Sequence, residues 1–102
     1  MRIVAREGKR IRTEHLEFRA VASPLPHPRV GLIVPKHGQT SVNRNRLKRR
    51  LRELARCRML PVLPSVDVVV RGRREAYGAT FDVLAAEVRS GVSAILAHFG
   101  SP

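Results

Sequence analysis

The sequence predicts a small α+β fold, an α–β sandwich with helices on one side of a single sheet. Three observations carry that prediction. His15–Ala22 alternates apolar and polar residues, Val30–Val34 and Val66–Val70 are short apolar runs, and Ser41–Arg58 and Thr80–Phe99 repeat with helical periodicity. The predicted order is β–β–α–β–α, with a vestige of helix in front. A chain of 102 residues has room for one domain, 1–102, and one modest core.

Met1–Arg6 is too short for a helix with a full apolar face, and reads as the last turn of one, stopped by Gly8 at a left-handed cap position. Lys9, Arg10 and Arg12 follow as an exposed basic connection. In His15–Ala22, Leu16, Phe18 and Ala20 share one side, and Glu17, Arg19 and Val21 the other, as in a half-buried strand. Three prolines within residues 23–28 remove amides that a ladder needs, so this segment is a loop. In the strand Val30–Val34, Gly31 marks a bulge or a close backbone approach. That strand can pair with its predecessor as a hairpin.

Ser41–Arg58, SVNRNRLKRRLRELARCR, holds eight Arg and Lys residues against a single acid, Glu53. Leu47, Leu51 and Leu54 fall on one helical face, so the stretch is predicted to dock by its leucines and turn its cations outward. Ser41 or Asn43 is expected to cap it. Glu53, four residues after Arg49 and three after Arg50, relieves some repulsion. A second proline-flanked loop follows, then Val66–Val70, whose β-branched residues suit a central strand. The strand–helix–strand portion implies a crossover between parallel strands. Arg71–Glu75 reads as a basic loop and Tyr77 as a loop residue. Thr80 caps the last helix, with Asp82 in its first turn. Its apolar stripe runs Phe81, Leu84, Val88, Val92, Ile95 and Phe99, and Gly91 suggests a close approach of another backbone.

The net charge of +12, from 20 Lys and Arg against 8 Asp and Glu, favours an anionic partner. Nucleic acid leads. A membrane surface is disfavoured, because no long apolar run or basic amphipathic terminus with bulky aromatics is present. Cys57 is the sole cysteine, which excludes an internal disulfide and fits a reducing compartment; between Arg56 and Arg58 it reads as an inert thiol. The first dozen residues lack the apolar core of a secretory signal, and the expectation is a cytoplasmic protein. His15, His27, His37 and His98 show no ligand spacing, so no metal site is expected. Asp67 alternates with valines and reads as facing the exposed side of its strand, outside any carboxylate pair, so no catalytic residue is assigned.

The stretch Gly31–Arg56, GLIVPKHGQTSVNRNRLKRRLRELAR, resembles the protein subunit of bacterial ribonuclease P. Val42, Arg44, Asn45, Arg46, Lys48, Arg49, Arg52 and Glu53 occupy the places of that family's basic signature. Gly8–Val21, Val66–Arg71 and Thr80–Phe99 resemble its first strand, last strand and closing helix. The resemblance implies an α–β–β–β–α–β–α fold, similar to domain two of a small-subunit ribosomal protein. It also implies a left-handed βαβ crossover, against the general right-handed rule. Arg10–Thr13 would supply the further strand. Family members begin with a longer helix whose phenylalanines line a cleft for the 5′ leader of precursor tRNA. Met1–Glu7 matches only its tail, so the N-terminal helix is truncated or the start lies upstream. The family's Ser-Lys-Lys turn is here Pro35-Lys36-His37.

What the resemblance implies functionally is a non-catalytic protein component of a ribonucleoprotein endonuclease that removes the 5′ leader. The RNA subunit is the catalyst and holds most of the Mg²⁺. Residues expected at the RNA are Lys36, His37, Arg44, Asn45, Arg46, Lys48, Arg49, Arg52 and Arg56. Arg10, Arg12 and Phe18 are candidates at the leader, Phe18 either stacking a base or packing under the first helix. The alternative is a general RNA-binding or ribosomal-type structural protein. A helix-turn-helix DNA binder fits poorly, since Pro35–Thr40 follows a strand where a partner helix is needed.

Overall fold

The sheet is built outward from its valine-rich strand. The computed structural model describes residues 8–36 and 38–100. Within them β1 (Lys9–Arg12), β2 (Leu16–Ala22), β3 (Arg29–Ile33) and β4 (Val66–Gly72) form one sheet in the order β1-β2-β4-β3. The α-helices among the described residues are α1 (Ser41–Leu54) and α2 (Phe81–Phe99). The expected helical turn over Met1–Arg6 lies outside the described residues.

β4 is central, as its β-branched composition predicts, pairing antiparallel with β2 and parallel with β3. The predicted hairpin between the segments around Leu16–Ala22 and Arg29–Ile33 does not form, because β4 lies between them. The proline-rich residues 23–28 carry the chain across to the far edge instead. β2 pairs on its other side with β1, so the basic segment taken for a connection is a strand, as the resemblance implied. Gly31 sits opposite Val69 in an unbroken parallel register and marks no bulge.

Alternation along the strands separates two faces. Leu16, Phe18 and Ala20 of β2 and Val66, Val68 and Val70 of β4 turn to the helices and are buried. There they meet Leu47, Leu51 and Leu54 of α1 and Leu84, Val88, Val92 and Ile95 of α2 in one cluster. Thr40, rather than Ser41 or Asn43, caps α1: its hydroxyl accepts from the Asn43 amide at 3.1 Å. Thr80 caps α2 as expected, accepting from the Val83 amide at 3.2 Å. Phe81, predicted as core, is exposed at the first turn of α2, while Phe99 packs at the core's margin.

Gly91 is buried because a ring, not a backbone, presses on it. A β-carbon there would lie 2.6 Å from Cζ of Phe18, itself fully buried. At the other end of α2's contact with the sheet, Glu87 gathers the turn between β1 and β2. Its carboxylate accepts from the Thr13 hydroxyl, from the His15 amide at 2.8 Å, and from the His15 ring. Burial pushes the Glu87 carboxyl up, but these hydrogen bonds outweigh it and leave its pKa below the ordinary 4.5.

Two predictions follow from this packing. Gly91→Ala should destabilise the protein by up to about 2 kcal/mol in urea unfolding, since overpacking against a ring costs ~1–3 kcal/mol and the helix gains only ~1 kcal/mol from alanine. Combining it with Phe18→Leu should cost less than the sum of the two single changes. The lowered pKa of Glu87 means that the folded state binds fewer protons than the unfolded chain. The stability it contributes is therefore complete above the unfolded value and disappears as pH falls through the folded one. Glu87→Gln should flatten the fall in unfolding free energy between about pH 5 and pH 2; an unchanged slope would show that the carboxylate contributes nothing there.

Candidate nucleic-acid interface

Three leucines hold α1 to the core, so its charged residues must fall on the flanks and the outward side. Arg46, Lys48, Arg49 and Arg52 are exposed and form no ion pair among the described residues. Asn45 is exposed beside them. Arg44, Lys48, Arg52 and Arg56 recur every fourth residue, which sets a cation about every 6 Å along one flank. Arg44 is half-buried, and its Nε is buried without an acceptor. Such a donor favours an incoming oxygen.

Arg56 departs from the pattern. It donates to Glu53 at 2.8 Å, and Cys57 donates its thiol to the same oxygen at 3.4 Å. These two bonds, Arg56 first, hold the Glu53 carboxyl below its ordinary value. The acid therefore serves Arg56 rather than the expected Arg49 or Arg50. The helix also changes its winding here: Ala55–Met59 is a π turn, in which the Leu60 amide reaches the Ala55 carbonyl at 2.9 Å. Between this flank and β3 runs a groove of about 410 Å³, lined by Val30, Leu32, Lys48, Arg52, Arg56 and Leu60.

The opposite flank carries Arg46 and Arg50. With Asn43 and Tyr77 they border a cavity of about 70 Å³. Arg50, absent from the predicted set, donates to the Ala79 carbonyl at 3.2 Å. Tyr77 is no free loop residue: its hydroxyl donates to the Pro35 carbonyl, tying the 3₁₀ turn Arg74–Gly78 to the approach to α1. Lys36 is exposed on that approach, and His37 lies outside the described residues.

The sheet presents a second charged surface. Arg10 and Arg12 of β1 share the face opposite the core with Glu17 and Arg19, Asp67 and Arg71, and Arg29 and Ile33, by their register. Glu17 accepts from Arg10 at 3.0 Å and from Arg19 at 3.3 Å. Burial raises its pKa, and those two arginines more than reverse the effect. Asp67 is on the face expected, yet it is buried: Arg29 grips it through Nε at 2.8 Å and Nη2 at 2.6 Å, which holds its carboxyl below the ordinary 3.8. Glu17, Arg19, Ile33, Val69 and Arg71 enclose an open groove of about 260 Å³ with an apolar floor. Ile33 is 50% exposed.

Phe18 does not belong to this surface. It points to the core and is wholly buried against α2, so its ring has no face for a base to stack on. Arg19 and Arg71, missing from the predicted set, hold the position that Phe18 was expected to share. Among the described residues no three His, Cys, Asp or Glu side chains converge. No described helix is long and apolar enough to cross a membrane.

Comparisons with known proteins bear on this arrangement. A family model described as Ribonuclease P matches residues 2–96. A "Ribonuclease P protein component" from Syntrophobacter fumaroxidans is 44% identical over 71 residues, 69% of this chain and 60% of that protein. One from Mycolicibacterium vanbaalenii is 38% identical over 77 residues, 76% of this chain and 65% of that protein. The matched stretch thus spans less than two thirds of either relative. The RNase P protein from Thermotoga maritima superposes with a TM-score of 0.81 at 22% identity, over 91% of this chain and 88% of that one, and shares the fold. With a match running over nearly its whole length, the chain belongs to the Ribonuclease P family.

Proposed function

We propose that this chain is the protein subunit of a cytoplasmic ribonuclease P and assists endonucleolytic removal of the 5′ leader from precursor tRNA. The observation that carries the reading is α1. Arg46, Lys48, Arg49 and Arg52 stand exposed on a helix whose leucines are consumed by the core, with no carboxylate of the described residues neutralising them. That surface suits the phosphates of the RNA subunit, each contact releasing condensed counterions. Lys36, Asn45 and the buried Nε of Arg44 extend it. Arg56 joins with its charge already shared with Glu53. Arginine serves here because its planar fork meets two phosphate oxygens together.

The leader then belongs to the sheet face. Arg19 and Arg71 border an apolar floor of Ile33 and Val69, which admits bases while the guanidinium groups meet phosphates, and Arg10 and Arg12 extend the same face on β1. Catalysis rests with the RNA and the Mg²⁺ it holds. The protein's own work is to lower the repulsion between two polyanions at one site.

Reconstitution with the same organism's ribonuclease P RNA tests the proposal. The chain should stimulate cleavage of precursor tRNA at low Mg²⁺; no stimulation at any protein ratio sinks it, and a footprint on ribosomal RNA alone would favour a structural RNA binder. Salt dependence tests the surface. Each phosphate met should lower log K by about 0.7–0.9 per tenfold rise in salt, so Lys48→Gln with Arg52→Gln should reduce the slope by about 1.5. An unchanged slope would remove α1 from the interface.

A further inference from the structure

A second groove, unused by the proposed function, opens where α1 ends. It lies between the π turn, the loop after it and α2, has a volume of about 410 Å³, and is bordered by Cys57, Arg58, Val62, Arg89, Val92 and Leu96. That volume is in the range of small-molecule and cofactor sites. Val62 is 42% exposed at its mouth. Among the described residues no acid lines it, and neither Arg58 nor Arg89 forms an ion pair. Glu53, one turn back, is already engaged by Arg56 and the Cys57 thiol.

An apolar cleft with two free guanidinium groups and no carboxylate selects a ligand with an apolar body and negative charge. The groove opens on the π turn that ends the basic helix. Arg56 borders the groove beside β3 and Arg58, two residues on, borders this one, so the two grooves lie on opposite sides of the π turn. A polyanion lying along α1 therefore meets Arg58 next after Arg56, at the mouth of the second groove. We propose that this groove seats an unpaired nucleobase of the RNA bound on α1, with its flanking phosphates on Arg58 and Arg89. This rests on the RNA-subunit reading and adds a base contact to it. An acidic, leucine-rich peptide segment has related chemistry but is not brought to the groove by binding on α1.

Cys57 is exposed, borders the groove and is the only cysteine, so its alkylation by N-ethylmaleimide reports occupancy directly. The probe is the same organism's ribonuclease P RNA, with binding followed separately by fluorescence anisotropy. At about ten times Kd, bound RNA should slow alkylation about tenfold, because only the free fraction reacts. The Arg58→Gln/Arg89→Gln variant should still bind through α1 yet lose most of that protection. Val62→Asp should weaken binding about tenfold, whereas Val83→Asp, an equally exposed valine away from the groove, should change it less than about twofold. RNA that binds without protecting Cys57, protection that survives loss of both arginines, or equal effects of the two valine changes would each overturn the base seat while leaving the RNA-subunit reading intact. Protection by an acidic, leucine-rich peptide and not by RNA would overturn it in favour of a protein partner. Absence of RNA binding in the anisotropy overturns both.

Discussion

The burial of Leu47, Leu51 and Leu54 against the valines of the sheet is what allows this molecule to have a working surface. Within α1, the pairs Arg44–Lys48, Arg46–Arg50 and Lys48–Arg52 each set like charges four residues apart, and no acid occupies the first turn. Each such pair opposes the helix by a few tenths of a kcal/mol. Each fully buried leucine favours the docked helix by about 1.5–3 kcal/mol. Three leucines therefore outweigh the repulsion severalfold. The cations stay free for a partner because the apolar seam, and not internal salt bridges, holds the helix in place.

Both described α-helices lie on one face of the sheet, the strand residues on the other face are mostly polar, and β4 reconciles the two. Val66, Val68 and Val70 enter the core while Asp67, Val69 and Arg71 face away. A single strand thus carries both the core and the outer groove. Phe18 and Arg19 show the same division in β2. A slip of one residue in that strand would expose the ring and bury the guanidinium, so the fit of Phe18 against Gly91 holds the register on which the outer surface depends.

Periodic features were legible in the sequence because they are local. The leucine seam, the stripe of α2 and the β-branched centre of the sheet all follow from spacing alone. Strand order was not legible: whether Leu16–Ala22 pairs with Arg29–Ile33 or with Val66–Gly72 depends on contacts between distant segments, and the proline loop permits either. Phe18 is instructive. Its alternation with Leu16 and Ala20 placed it on the apolar side, whereas the family resemblance suggested a surface role, and the local pattern was the better guide. Arg19 and Arg71 were visible as polar alternates, but nothing local joins them across β2 and β4. Arg58 and Arg89 lie on segments that only the folded chain brings to one groove. Thr40 was missed as the cap by one position, because three neighbouring residues can all accept from a first-turn amide.

The two cationic surfaces differ in how their arginines are held. On the sheet, Arg10 and Arg19 are anchored to Glu17, and Arg29 to Asp67, each acid being largely withdrawn from water. Anchoring cancels part of the field but restricts the side chains, so a ligand meeting them has less disorder to overcome. On α1 the exposed side chains keep their full charge and their rotamer freedom. The helix should therefore dominate long-range attraction and respond most strongly to salt, which screens exposed charges over about 8–10 Å. The sheet face contributes position more than pull. The proposed function, capture of a large polyanion and alignment of a single strand beside it, calls for both behaviours, and β2 and β4, packed against α1 and α2 through their apolar side, keep the two surfaces in fixed relation.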